Sequence, residues 1–256
     1  MGHLIRGTAI GALLALLLVG SALAAPDVVQ VGNLVLSHDG GISPTRLPRS
    51  EPAPIDAFIS AEIGTKDGSH LPAARELVVD LDRDIHVNAR GLPVCNRSQL
   101  ESRDTSDARR VCGDAIVGEG SATAEIAFPE QTPIQAKSPL LMFNGGVKGG
   151  RTMIFIHAFI TVPVPAAVVA TVELTPIRDG RYGTHVVAKI PPISGGSGSL
   201  TAGRLSIGRK FTYKGKRRSY LTASCSSGRH QIRGRVLFQD QSVVNLTRLL
   251  PCTAVG

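Results

Sequence analysis

The chain has 256 residues, a formal net charge of +8 and a hydrophobic fraction of 43%, with four cysteines, no tryptophan and only 4% aromatic residues. That composition excludes a disordered polymer and a core built on large rings, leaving one large β domain or two small ones with an aliphatic interior. Beyond the N-terminal run at Ile10–Val19, no apolar stretch approaches the roughly eighteen residues of a membrane helix, so no transmembrane segment is expected in the mature chain.

The chain opens with a basic start at Met1–Arg6, a nearly unbroken apolar run at Ile10–Val19 and small residues at Ala22-Leu23-Ala24. This order reads as a signal peptide over residues 1–25, with Pro26 beginning the mature chain. Export implies an oxidising compartment, so a secreted product or one held at the exterior of the cell envelope is expected.

Strand signals dominate the mature chain. Ile55–Ile63 alternates, with Ile55, Ala57, Ile59, Ala61 and Ile63 on one side and Asp56, Phe58, Ser60 and Glu62 on the other. Further strands are predicted over Glu76–Leu81, Ala122–Phe128, Pro139–Phe143, Thr152–Val162, Ala167–Leu174 and Thr184–Ile190. The last third adds Arg204–Tyr213, Ser219–Ser224, Gln231–Phe238 and Val243–Leu249. Helix is confined to a capping box at Ser98-Gln99-Leu100-Glu101 and a short segment at Ser106–Val111, both between Cys95 and Cys112. Many short strands with glycine-rich turns predict an all-β fold, an antiparallel β-sandwich with a short disulfide-stapled helical insert. Residues 26–256 read as one such domain, with the stretch 191–199 the only candidate for an internal boundary.

Cys95, Cys112, Cys225 and Cys252 allow three pairings, and nothing in the sequence chooses among them. Locality favours Cys95–Cys112 and Cys225–Cys252, each closing a loop of roughly 18 to 28 residues. No Cys-x-x-Cys spacing supports a thiolate metal site.

Charge is distributed unevenly. Pro26–Ile177 carries 13 Lys+Arg against 18 Asp+Glu, whereas Arg178–Gly256 carries 14 against 2. The excess peaks where Ser206–Tyr213 runs into Lys214-Gly215 and Lys216–Leu221 runs back. There Arg209, Lys210, Lys214, Lys216, Arg217 and Arg218 crowd one turn beside Tyr213 and Tyr220. Such a hairpin would attract an anionic polymer with an affinity that falls as salt rises, blunt a sheet edge, or sit against the acidic first half of the chain. The partner expected on the first reading is an anionic cell-envelope polymer or a membrane surface. Nucleic acid is not expected, because the chain is exported, poor in aromatic residues and without a recognisable nucleic-acid module.

Asp80-Leu81-Asp82-Arg83-Asp84 spaces carboxylates as a calcium loop begins, but its sixth position is Ile85 rather than glycine and its twelfth, Gly91, offers no carboxylate. The other reading is a strand end whose acidic face meets water or pairs with Arg83 and Arg90. His157, among Met153, Phe155 and Phe159, reads as a neutral core residue rather than a base. Gly195-Gly196-Ser197-Gly198-Ser199 fails the Gly-x-Ser-x-Gly spacing of a nucleophile elbow. Without tryptophan, the usual sugar-stacking platform is missing too. No catalytic, cofactor or metal residue is therefore nominated.

The run Gly91-Leu92-Pro93-Val94-Cys95, a helical insert, Cys112 and then Ala115-Ile116-Val117-Gly118-Glu119-Gly120-Ser121-Ala122 resembles a group of exported proteins of high-GC Gram-positive bacteria. The resemblance implies an all-β fold in which two cysteines staple the insert, and it brings no activity and no site residue. The expected function is thus an exported, non-enzymatic β-sandwich domain, envelope-associated or extracellular, that binds anionic polymer through the hairpin. Two alternatives come from other classes. One is a secreted hydrolase whose carboxylates or His157 assemble only in three dimensions. The other is a calcium-stabilised adhesive module centred on Asp80, Asp82 and Asp84.

Overall fold

The computed structural model describes residues 26–256, and the signal peptide expected over 1–25 lies outside the described residues. The first strands are β1 (Asp27–Val31), β2 (Leu34–Ser43), β3 (Arg46–Pro48), β4 (Ala53–Pro54), β5 (Asp56–Thr65), β6 (Ala74–Asp82) and β7 (Ile85–Val87). After a helical insert come β8 (Ile116–Ile126), β9 (Ile134–Lys148), β10 (Arg151–Ile160), β11 (Ala166–Asp179) and β12 (Tyr182–Lys189). The chain ends with β13 (Gly198–Ile207), β14 (Lys210–Tyr213), β15 (Lys216–Ser219), β16 (Leu221–Ala223), β17 (Arg229–Phe238), β18 (Val243–Pro251) and β19 (Thr253–Val255).

Twelve of these strands form one antiparallel sheet in the order β1-β2-β5-β13-β8-β9-β10-β11-β12-β6-β17-β18. The two ends of that order meet. Arg248 of β18 donates to Asp27 of β1 at 2.6 Å and to Asp39 of β2 at 2.5 Å. Leu34 and Leu36 of β2 share a buried cluster with Val236, Phe238 and Val244 from the far end. A flat sheet would hold these strands many strand spacings apart. The architecture is therefore a near-closed barrel made by a single sheet, not the two facing sheets of the expected sandwich. Both arrangements bury one face of each strand and so leave the same alternation in sequence. Strand β13, which follows the stretch 191–199, lies between β5 and β8, so strands from either side of that stretch interleave.

Five of the remaining strands plug the barrel. β4, β16 and β7 form a small sheet, and β3 pairs with β19 in parallel. Their Leu47, Ile85, Leu221 and Ala223 meet Ile42, Val117, Met142, Ile154, Val172 and Leu250, which come from six different wall strands. Residues spread so widely around the sheet converge on one plug because the wall curls around it. Tyr220, next to β16, is 1% exposed in this cluster and its hydroxyl has no partner among the described residues. Burial pushes its phenol pKa up. A desolvated hydroxyl without a hydrogen bond costs stability, so Tyr220→Phe is expected to stabilise the fold by about 1 kcal/mol. A denaturant titration checks this, and a lower midpoint for the variant would mean the hydroxyl does have a partner.

The insert packs on the outside of the wall. Helix α1 (Thr105–Cys112) starts at Asp104, whose carboxylate accepts from the Asp107 backbone N–H at 2.8 Å. The predicted capping box lies two residues earlier than expected: the Asn96 backbone N–H donates to Gln99 Oε1 at 2.9 Å. Leu100, Ala108 and Ala115 cover Leu141, Phe143, Phe155 and Val169 of β9, β10 and β11. The Cys95–Cys112 disulfide staples this unit, and Cys225–Cys252 ties the plug to the end of β18. Among the described residues no helix is long and apolar enough to cross a membrane.

Candidate functional site

The basic hairpin forms as the Lys214-Gly215 turn suggests, with both residues at positive φ (50° and 72°) in the two-residue connection that matches strand twist. Its register sets Phe211 opposite Arg218 and Tyr213 opposite Lys216 on one face, and Thr212 opposite Arg217 on the other. The aromatic residues anchor it. Phe211 packs against the main cluster of the plug. The Tyr213 ring lies on Gly91, where any added Cβ would collide with the ring carbons. Lys214 Nζ sits 5.7 Å from the centroid of the same ring.

Five of the six cations stand in solvent. Arg209 is half-buried and Lys210, Lys214, Lys216, Arg217 and Arg218 are exposed. Among the described residues none of them pairs with a carboxylate. Among the described residues β14 and β15 pair only with each other, so these charges flank the ribbon's own two edges, while the large sheet has its edges at β1 and β18.

Other basic residues of the last third do meet the acidic first half. Arg233 Nε donates to Asp80 Oδ2 at 2.9 Å, and His185 Nδ1 lies 2.7 Å from Asp80 Oδ1. Arg181 Nε donates to Asp82 Oδ2 at 2.9 Å, and Arg248 holds Asp27 and Asp39. Arg233 also lies over the Tyr182 ring, 4.6 Å from its centroid. The charge asymmetry thus divides: Arg181, Arg233 and Arg248 stitch the barrel, and the hairpin is left over.

This arrangement overturns both readings of the acidic run. Asp80, Asp82 and Asp84 are 7%, 3% and 9% exposed, so they form no solvated face, and their ion-pair partners are not Arg83 and Arg90. Nor do they converge. Asp80 and Asp82 are held by separate arginines, and Asp84 Oδ2 accepts from the Ser226 backbone N–H at 2.9 Å and from its hydroxyl. Among the described residues no three His, Cys, Asp or Glu side chains are grouped to hold a metal ion. These carboxylates fix the β6 end to β12 and β17.

His157 is fully buried beneath the insert, and its Nε2–H donates to the Arg103 carbonyl at 2.9 Å. Burial pushes its pKa down, and Nδ1 has no partner among the described residues, which fits a neutral core histidine. A different histidine sits in a chain of contacts that the sequence did not signal. Ser199 Oγ lies 3.5 Å from His70 Nε2, and His70 Nδ1 lies 2.7 Å from Glu125 Oε1, which is the order of a nucleophile, base and acid. Yet Ser199 is 1% exposed and donates its proton to the Leu71 carbonyl at 2.6 Å. Its hydroxyl ties the loop between β5 and β6 to β13 and presents no open face to an acyl group. No local motif could have found this cluster, because His70, Glu125 and Ser199 come from three separate segments.

Comparison with protein-family models, with curated proteins and with solved structures finds no match for this chain.

Proposed function

We propose that this protein is an exported binding domain, acting outside the cell or at the exterior of the envelope, that engages an anionic envelope polymer through Arg209, Lys210, Lys214, Lys216, Arg217 and Arg218. One observation carries this reading: six cations stand on or beside a docked two-stranded ribbon and, among the described residues, have no carboxylate partner. Anchoring by Phe211 and Tyr213 holds the charges in a fixed array, which reduces the ordering cost of binding. The two disulfides fit an oxidising compartment.

The test is co-sedimentation of the mature protein with isolated bacterial envelope across about 20 to 500 mM salt. Binding is expected at low salt and lost at high salt. A variant with Lys214, Lys216, Arg217 and Arg218 all changed to Ser should bind about a hundredfold more weakly, at roughly 1 kcal/mol or less per exposed charge, with an unchanged melting temperature. Equal binding by variant and parent would sink the reading. Vesicles rich in anionic lipid form a parallel arm, and binding to them but not to delipidated envelope would assign the hairpin to a membrane surface.

A further inference from the structure

The outer face of the wall carries a second surface, separate from the hairpin. Register places Ser37, Ser60, Ser121 and Thr123 on the side of their strands away from the buried clusters, with Glu62 and Arg204 between them. These short side chains border a groove of about 410 Å3 that crosses β2, β5, β13 and β8, within the range of about 300 to 1,000 Å3 typical of small-ligand sites. Its depth comes from Ala202 and from the backbone at Ala61, Gly203 and Ala122, where no long side chain fills the space.

Two charged groups of this groove are uncommitted. Neither Glu62 nor Arg204 forms an ion pair among the described residues. Asp39, also at the groove, shares Arg248 with Asp27. The unpaired Glu62 carboxylate and Arg204 guanidinium balance each other, in contrast to the excess of positive charge on the hairpin.

At one end of it stands a large exposed aromatic residue of the wall. Phe58 is the next outward residue along β5 from Ser60 and is 46% exposed. It faces Gly41 of β2, where an added Cβ would come within 2.5 Å of a ring carbon, so the ring is laid across the sheet and held there. A fixed ring with nearly half its residue open stands at the end of a groove whose successive rows carry Ser60, Arg204 and Ser121 and then Ser37, Glu62 and Thr123, and this matches one ligand chemistry well. A pyranose has an apolar C–H face to stack on a ring and a rim of hydroxyls that donate to carboxylates and accept from guanidinium and serine.

We propose that the groove over β2, β5, β13 and β8 is a binding site for a neutral oligosaccharide, with Phe58 as the stacking platform and Glu62 and Arg204 as the orienting polar pair. The site does not depend on the hairpin, and the two would let one molecule hold a glycan and an anionic polymer together.

Titration calorimetry with the hexasaccharides of β-1,4-glucose, α-1,4-glucose and β-1,4-N-acetylglucosamine tests this, in about 500 mM salt so that the hairpin is screened. Binding of at least one sugar is expected at sub-millimolar to millimolar affinity. Phe58→Ala should weaken it about tenfold, the loss of roughly 1.4 kcal/mol of ring contact. Ala202→Arg, which fills the groove and leaves the ring in place, should abolish it. The four-residue hairpin variant should bind as the parent does, which separates failure of this site from failure of the hairpin. Absence of binding by all three sugars at about 10 mM, or undiminished binding by both groove variants, would overturn the proposal.

Discussion

Replacing Cys225 and Cys252 together by alanine is expected to lower the stability of the whole fold by about 3 to 4 kcal/mol, more than any single surface change. The two cysteines are 27 residues apart in sequence, and closing a loop of that length removes about 3.5 kcal/mol of chain entropy from the unfolded state. Both lie in the main buried cluster. The Cys225 backbone N–H donates to the Pro48 carbonyl at 2.8 Å and that of Cys252 to the Gly228 carbonyl at 3.0 Å. The bond thus joins the plug to the last wall strand at a point where both are ordered. Cys95–Cys112 closes a shorter span of 17 residues and fastens only the external insert. Its removal should loosen the insert before the barrel. Guanidinium unfolding of the two alanine pairs, followed by amide exchange, distinguishes them. A loss below about 1 kcal/mol for the Cys225–Cys252 pair would show that the plug is held by packing alone.

Asp82→Ala is expected to cost about 3 kcal/mol. The carboxylate is nearly fully buried and accepts from Arg181 Nε at 2.9 Å, from the Gln231 backbone N–H at 2.8 Å and from the Asp84 backbone N–H at 3.1 Å. Removing one partner of a buried pair typically costs about 3 to 5 kcal/mol, and the lower end applies because Arg181 keeps about a third of its side chain in water. Asp82→Asn retains one acceptor and should lie between the two. The neighbouring Asp80 adds a pH dependence. Burial alone would raise its pKa, but the His185 and Arg233 hydrogen bonds outweigh that and hold it below the usual carboxylate value. A carboxylate lowered in the folded state contributes its stability fully above the unfolded pKa near 4 and loses it as pH falls through the folded value. Stability should therefore decline on acidification below about pH 4, and Asp80→Asn should be less stable at neutral pH with a flatter acid limb. An unchanged acid limb in Asp80→Asn would contradict this assignment.

From β5 onward, most of the wall was legible in the sequence because each strand buries one face and exposes the other. Ile154, Ile156 and Ile160 line the interior of β10 while Phe155 and His157 face the insert, a direct readout of period two. β2 leaves no clear signal because His38 and Gly40 interrupt its inward apolar positions. The plug strands mostly leave no signal because they are two or three residues long. Arg204–Tyr213, read as one strand, breaks at Gly208-Arg209 into a wall strand and a ribbon. Barrel closure was not legible at all, since it depends on Arg248 meeting Asp27 and Asp39, more than 200 residues away.

The hairpin could be found from composition because its cations are consecutive in sequence. The groove could not, because its hydroxyls and charges come from four strands whose register no local pattern reveals. The lack of tryptophan also argued against a sugar platform, whereas Phe58 gains that position only when it is laid on Gly41.

The hairpin is also the start of the plug. β15 ends at Ser219, Tyr220 follows in the core, β16 begins at Leu221, and Cys225 is bonded to Cys252 beyond β18. A mechanical load applied to the ribbon would pass along this short path into the centre of the molecule and across a covalent link to the final wall strand. Tension at the charged tip would thus be shared by the barrel and its interior, so a protein tethered there would yield as a whole rather than by peeling one strand from its edge.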